Sequence, residues 1–228
     1  KTILSKNSTS IELNGPYEIK PKNIIVASDP SSAAFFIVGA LIIPDSEITL
    51  TNIALNKSRI AFIDVLKKMG GKIRIKKTKT VSGEDVGDIN VSYSSLNAIE
   101  IKASLSAYLI DEYPILSIAA SQAKGVTVMK GLSELRHKES DRIKSIITNL
   151  SKVGFKVVSE KDNISIKGSN KIQVVNQKKI KTYGDHRIAM SFAILSLLYK
   201  NKLIIDDESC ISISYPDFKK HLKKLSTH

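Results

Sequence analysis

Three stretches of this chain begin with aspartate, run on as segments apolar on every side, and close at a turn. They are DPSSAAFFIVGALIIP from Asp29, DEYPILSIAASQAKG from Asp111 and DHRIAMSFAILSLLYKN from Asp185. An aspartate in that place accepts backbone N–H groups that the first helical turn leaves unpaired, and Pro30 sits where a helix tolerates proline best. A helix apolar all round cannot lie on a surface, so all three are expected to be buried. They recur about every 80 residues, a period far too long for a solenoid.

Each run is followed by a short strand pattern: EITL from Glu47, VTVM from Val126 and LIID from Leu203. A second helix then follows in each copy. KSRIAFIDVLKKMGG and KESDRIKSIITNLSKVG carry apolar residues at helical spacing and finish at Gly70 and Gly154, while the third, PDFKKHLKKLS, is shorter. The first two copies continue into paired strands, KIRIKKTK with DINVSYS and FKVVSEK with NISIKG; the third lacks its final pair. The fold class expected is α/β (α+β), built from repeated βαβαββ units, with buried inner helices surrounded by sheets and outer helices. Residues 23–228 form one domain of three units on this reading. Residues 1–22, with TILSKN and SIELNG ahead of Gly15-Pro16, read as the remnant of a preceding domain or linker.

The longest apolar run, Ala33 to Ile43, is too short for a bilayer core of about 30 Å, which needs roughly 20 such residues. The chain opens KTILSKNSTS, without an apolar signal segment or an initiating Met, which predicts a piece of a longer protein. Cys210 is the lone cysteine, which excludes an internal disulfide framework and a multi-cysteine metal site and favours a cytoplasmic setting. Lys and Arg total 35 against 22 Asp and Glu, a formal net charge of +13. Two readings of that excess stay open: attraction of a polyanion, nucleic acid or a phosphorylated small molecule, and simple solvation of a lysine-rich surface. No basic run is interleaved with aromatic residues, so a stacking platform for single strands is not expected.

Chemistry concentrates at three helix heads. In LRHKESDRIKSIITNL the stripe Ile143, Ile146, Ile147 and Leu150 marks the core side. At roughly 100° per residue Glu139 falls in that inward arc one turn earlier, flanked on one edge by Lys138 and Arg142. A first-turn acid favoured by the helix dipole is the plain alternative. Against it, the equivalent turn of the first copy reads Asn56-Lys57-Ser58-Arg59, so the scaffold does not require an acid there. A carboxylate between burial and two cations is balanced as a proton-trading group should be. Asp185-His186-Arg187 heads the third run, where unpaired N–H groups favour an anion and Arg187 can add a bidentate contact. His186 reads as a ligand, an acid or a capping-region imidazole. In Asp111-Glu112-Tyr113-Pro114 a helix cap accounts for one acid. The repeat places all three heads at one end of the domain, so Asp111, Arg187 and the Lys138 cluster are expected to converge.

With these residues in hand, the chain resembles the EPSP synthases, the 3-phosphoshikimate 1-carboxyvinyltransferases of the shikimate pathway. The resemblance rests on DEYPILSIAASQAKG, LxELRHKESDRI from Leu132, GDHRIAMSFAIL from Gly184 and YPDF from Tyr215, in that order, and covers the chain from about Asn23 onward. It implies two domains, each of three βαβαββ units in an inverse barrel, of which this chain supplies the C-terminal one. It implies transfer of the enolpyruvyl group of phosphoenolpyruvate to the 5-hydroxyl of shikimate 3-phosphate, with no cofactor and no metal. Asp111 then resembles the base that takes the hydroxyl proton, and Glu139 the acid/base at the methylene carbon. Lys138 resembles the shikimate 3-phosphate lysine, Arg142 and Arg187 the phosphoenolpyruvate arginines, and His186 the histidine beside them. The expected partners are those two substrates and an N-terminal domain, with neither nucleic acid nor membrane, in a protein that is a monomer at full length. Departures stand at Ile213, where many members have Lys, and at Glu134, where several have Asn. UDP-N-acetylglucosamine enolpyruvyltransferase shares the expected fold and reaction type but not LRxKESDR. A noncatalytic cationic module that binds nucleic acid is the alternative from another class.

Overall fold

The computed structural model describes residues 2–4, 9–12, 15, 16, 18, 20, 21, 23–169, 177–199 and 203–226. At the start, β1 (Thr2–Leu4) pairs antiparallel with β2 (Thr9–Ile11). The first unit then holds α1 (Pro30–Ile42), β3 (Glu47–Ala54), α2 (Ala61–Lys68), β4 (Lys72–Val81) and β5 (Glu84–Ser92). The second holds β6 (Glu100–Ile101), a short α3 (Ser106–Leu109), α4 (Tyr113–Gln122), β7 (Val126–Met129), α5 (Arg142–Val153), β8 (Lys156–Glu160) and β9 (Asn163–Lys167). The third holds β10 (Lys179–Ile180), α6 (His186–Ser196), β11 (Ile204–Ile205), α7 (Ser209–Ser214) and α8 (Phe218–Ser226).

The sheets repeat as the sequence predicts. In the second unit the strand order is β6-β7-β9-β8, with β6 parallel to β7 and the rest antiparallel. The first unit runs β3-β5-β4, and its leading strand is reduced to a parallel bridge from Ser28 to Ile53. In the third, β10 pairs parallel with β11, and no final strand pair follows among the described residues. Residues Lys200 and Asn201, which close the third predicted run, lie outside the described residues.

The three apolar runs become α1, α4 and α6, which pack against one another. All of α1 except Ser32, and all of α4 except Gln122, is buried. Complete burial of an Ile, Leu or Phe side chain is worth about 1.5–3 kcal/mol, far more than the few tenths by which β-branched residues disfavour helix. That is why IVGALI and ILSIAA are helical here. The outer helices are amphipathic: α5 turns Ile143, Ile146 and Leu150 inward and ends at Gly154, whose φ of 119° suits the left-handed cap that only glycine adopts freely. The short α7 was not legible from SCISIS; Asp207 starts it by accepting from the backbone N–H and the hydroxyl of Ser209. No helix among the described residues is long and apolar enough to cross a membrane.

Candidate active site

The heads of α1, α4 and α6 lie together, as the repeat requires. Asp29 caps α1 through the Ser32 N–H at 2.8 Å, and Asp185 caps α6 through the Arg187 N–H at 2.9 Å. Asp185 does more than cap. Its Oδ2 accepts from Arg142 Nε at 2.8 Å and from Ser140 Oγ at 3.1 Å, and neither Arg142 nor Asp185 has exposed side-chain surface. Burial opposes the charge on Arg142, but Asp185, Glu139 and Asp111 outweigh it, so the guanidinium is held cationic with its pKa raised.

The expected helix at Lys138-Glu139 is displaced. Ser133–His137 form a 3-10 turn, Lys138 is extended, and α5 begins only at Arg142, with Asp141 as its cap accepting from the Lys144 N–H at 3.0 Å. An aspartate one residue before Arg142 starts the helix later than the apolar stripe suggests, because its short carboxylate caps well. The inward and flanking positions are therefore exchanged. Arg142 is the buried residue, and Glu139 stands on the loop, half exposed, with its carboxylate 2.5 Å from Arg142 Nη2.

Asp111 was expected to cap the second inner helix and does not. Glu112 holds that position and makes no side-chain cap bond, which leaves Asp111 free to face the cluster. Its carboxylate lies 3.2 Å from Arg142 Nη1, 3.7 Å from Arg187 Nη2 and 3.9 Å from Lys138 Nζ. Burial pushes the Asp111 carboxyl up, but Arg187, Arg142 and Lys138 together bring it below its ordinary value. Glu112 turns the other way, into the protein. It accepts from Ser31 Oγ at 2.5 Å, Ser31 in turn accepts from Arg59 at 2.9 Å, and Arg187 Nη1 lies 3.7 Å from Glu112. Burial raises the Glu112 carboxyl above its ordinary value in spite of Ser31 and Arg187.

Arg187 is anchored by donating to the backbone oxygen of Asp111 at 2.9 Å, and its side chain is mostly buried. His186 is the first residue of α6. Burial, then the neighbouring Arg187, lowers its pKa, so it is neutral near pH 7. Of the predicted set, Asp111, Lys138, Glu139, Arg142 and Arg187 thus form one connected group, and His186 adjoins it. Ile213 and Glu134 are both exposed. The sequence reading gave no role to Ser140, although it lies inside KESDR, nor to Ser31 and Arg59; all three are found only by tracing the hydrogen bonds. A cavity of about 520 Å³ lies apart from this cluster, between α1, β3 and α8 beside Asp29 and Tyr215. The charged group is an open wall rather than a pocket. Such a wall can bind anions through Arg187 and Lys138, and through Arg142 once one of its carboxylate partners moves, and can exchange protons through two partly exposed carboxylates.

Residues 2–222 match the family model of EPSP synthase (3-phosphoshikimate 1-carboxyvinyltransferase). Over 209 residues the chain is 42% identical to the 3-phosphoshikimate 1-carboxyvinyltransferase of Sphingopyxis alaskensis, covering 92% of this chain and 47% of that protein. It is 41% identical to that of Petrotoga mobilis over 98% of this chain and 51% of the relative. The chain spans about half the length of the curated relatives it matches. Among solved structures, an EPSP synthase from Acinetobacter baumannii superposes with a TM-score of 0.89 at 33% identity, over 99% of this chain and 51% of that one. The enolpyruvyl transferase NikO from Streptomyces tendae, at 15% identity and a TM-score of 0.69 over 88% of this chain and 43% of its own, shares the fold.

Proposed function

Because the chain belongs to the EPSP synthase family, we propose that it forms one wall of an enzyme that joins phosphoenolpyruvate to shikimate 3-phosphate and releases phosphate. The observation that carries this reading is the convergence of Asp111, Lys138, Glu139, Arg142 and Arg187 at the heads of the inner helices. The 5-hydroxyl oxygen of shikimate 3-phosphate forms a bond to C2 of phosphoenolpyruvate, and Asp111 takes the hydroxyl proton. Glu139 protonates the methylene carbon, giving a tetrahedral intermediate. Phosphate leaves as its bond to C2 breaks, and Glu139 takes a proton back from the methyl group, restoring the double bond. Lys138 holds shikimate 3-phosphate near the reacting hydroxyl. Arg142 and Arg187 hold phosphoenolpyruvate, and His186 borders it. Two anions held side by side turn a bimolecular encounter into a local one, and the cations offset charge that develops in the transition state.

The opposite wall belongs to a second domain on this reading, with residues 23–228 as the C-terminal domain and residues 1–22 as its connection. The complete protein is a cytoplasmic monomer. The test is phosphate release by this chain joined to the amino-terminal half of a full-length relative. Release that needs both phosphoenolpyruvate and shikimate 3-phosphate supports the proposal; release with UDP-N-acetylglucosamine in place of shikimate 3-phosphate refutes it.

A further inference from the structure

Arg142 is enclosed. Three carboxylates occupy its guanidinium, Asp185 at Nε, Asp111 at Nη1 and Glu139 at Nη2, and no surface of the side chain remains open. An anion from solution therefore reaches Arg142 only if one of the three moves. They are not equally held. Asp185 is fully buried and is fixed by Ser140 Oγ and by the Arg187 N–H as well as by Arg142. Asp111 is shared among Arg142, Arg187 and Lys138. Glu139 is the most exposed of the three, at 49%, and its ion pair is with Arg142. It also stands on the loop ahead of α5, where no helix fixes its side chain.

We propose that Glu139 is the resident occupant of the anion site: its carboxylate covers the face of Arg142 that the substrate's carboxylate takes, and binding displaces it. The inference rests on the reading above for the identity of that anion. With its carboxylate half in water, Glu139 loses least of the three on leaving Arg142, whereas an incoming phosphoenolpyruvate brings a carboxylate for Arg142 and Arg187 together. Displacement has a second effect. The same swing that uncovers the guanidinium carries the Glu139 carboxyl away from its cation and leaves it beside the newly bound molecule. Glu139 thus competes with the substrate before binding and stands next to it afterwards, and binding affinity is given up for placement of the acid.

The test is equilibrium binding of phosphoenolpyruvate to this chain, followed by phosphorus NMR, for the unaltered protein and for Glu139→Gln and Glu139→Ala. Both variants remove a competing charge from Arg142, so both are expected to bind about 3- to 10-fold more tightly, Ala at least as strongly as Gln. Equal or weaker binding by both variants, or no binding by any of the three proteins, overturns the inference. Turnover with shikimate 3-phosphate tests the underlying reading separately. If the joined enzyme is inactive while the variants still bind more tightly, the reading falls and the competition stands.

Discussion

Arg142 and Asp185 meet at 2.8 Å with neither side chain exposed, and this pair ties the head of the second outer helix to the head of the third inner one. Removing Asp185 takes the one fully buried carboxylate from the Arg142 guanidinium and leaves it only the partly exposed Asp111 and Glu139, which costs about 3 kcal/mol. Asp185→Ala also removes the cap of α6. Urea unfolding of this variant is expected to show a loss of at least that size, and a loss below about 1 kcal/mol would show that the pair does not hold the heads together.

Glu112 makes the opposite prediction at neutral pH. Its folded pKa is raised by burial, so the carboxyl favours folding when protonated, below its ordinary value of 4.5, and that advantage is lost as pH rises through the folded value. Glu112→Gln keeps the shape and the Ser31 contact without the buried charge. The variant should melt at higher temperature than the unaltered chain near neutral pH, with the difference shrinking toward about pH 4. A difference that is the same across the range would mean that Glu112 does not titrate in this way.

The turn after β9 is a tight approach. A Cβ on Gly168 would stand 2.0 Å from the backbone oxygen of Ala123 and 2.6 Å from that of Ala120, at the end of α4 opposite the Glu112 head. Gly168→Ala must push β9 away from α4. We expect about 1–3 kcal/mol of destabilisation, read as a drop of several degrees in Tm. An unchanged Tm would show that the two elements part easily.

Arg187 is held at its tip, where Nη1 donates to the Asp111 backbone oxygen and fixes the plane of the guanidinium. Lysine at this position keeps the charge and loses the fork. In the joined enzyme Arg187→Lys is expected to raise KM for phosphoenolpyruvate about 10-fold with a smaller change in kcat. A lower kcat at unchanged KM would place Arg187 outside substrate binding.

Much of this architecture could be read from residue pattern alone. All-round apolarity located α1, α4 and α6, and the glycines at 70 and 154 located the ends of α2 and α5, because burial and backbone sterics act locally. The site was legible in membership but not in geometry. Periodicity extended from Ile143 back to Glu139 assumed an unbroken helix, and the Asp141 cap ends that assumption. With the helix starting at Arg142, the arginine turns inward and the glutamate does not. Likewise the sequence pointed to Asp111 as cap and as cluster member and gave Glu112 no role, and only the packing of α4 against α1 sends Asp111 to the cluster and Glu112 to Ser31. Contacts such as Ser31 with Glu112, separated by 81 positions, leave no periodic trace.

On the proposed function, the loop carboxylate at 139 moves the proton in a reaction whose anions sit on Arg142, Arg187 and Lys138. The most direct measurement is single-turnover release of phosphate from phosphoenolpyruvate by the joined enzyme, with shikimate 3-phosphate saturating, for the unaltered protein and for Glu139→Gln. Loss of a general acid/base slows the chemical step about 100- to 10,000-fold, and that slowing is the predicted result. Phosphate release at the unaltered rate would contradict the proposed role of Glu139.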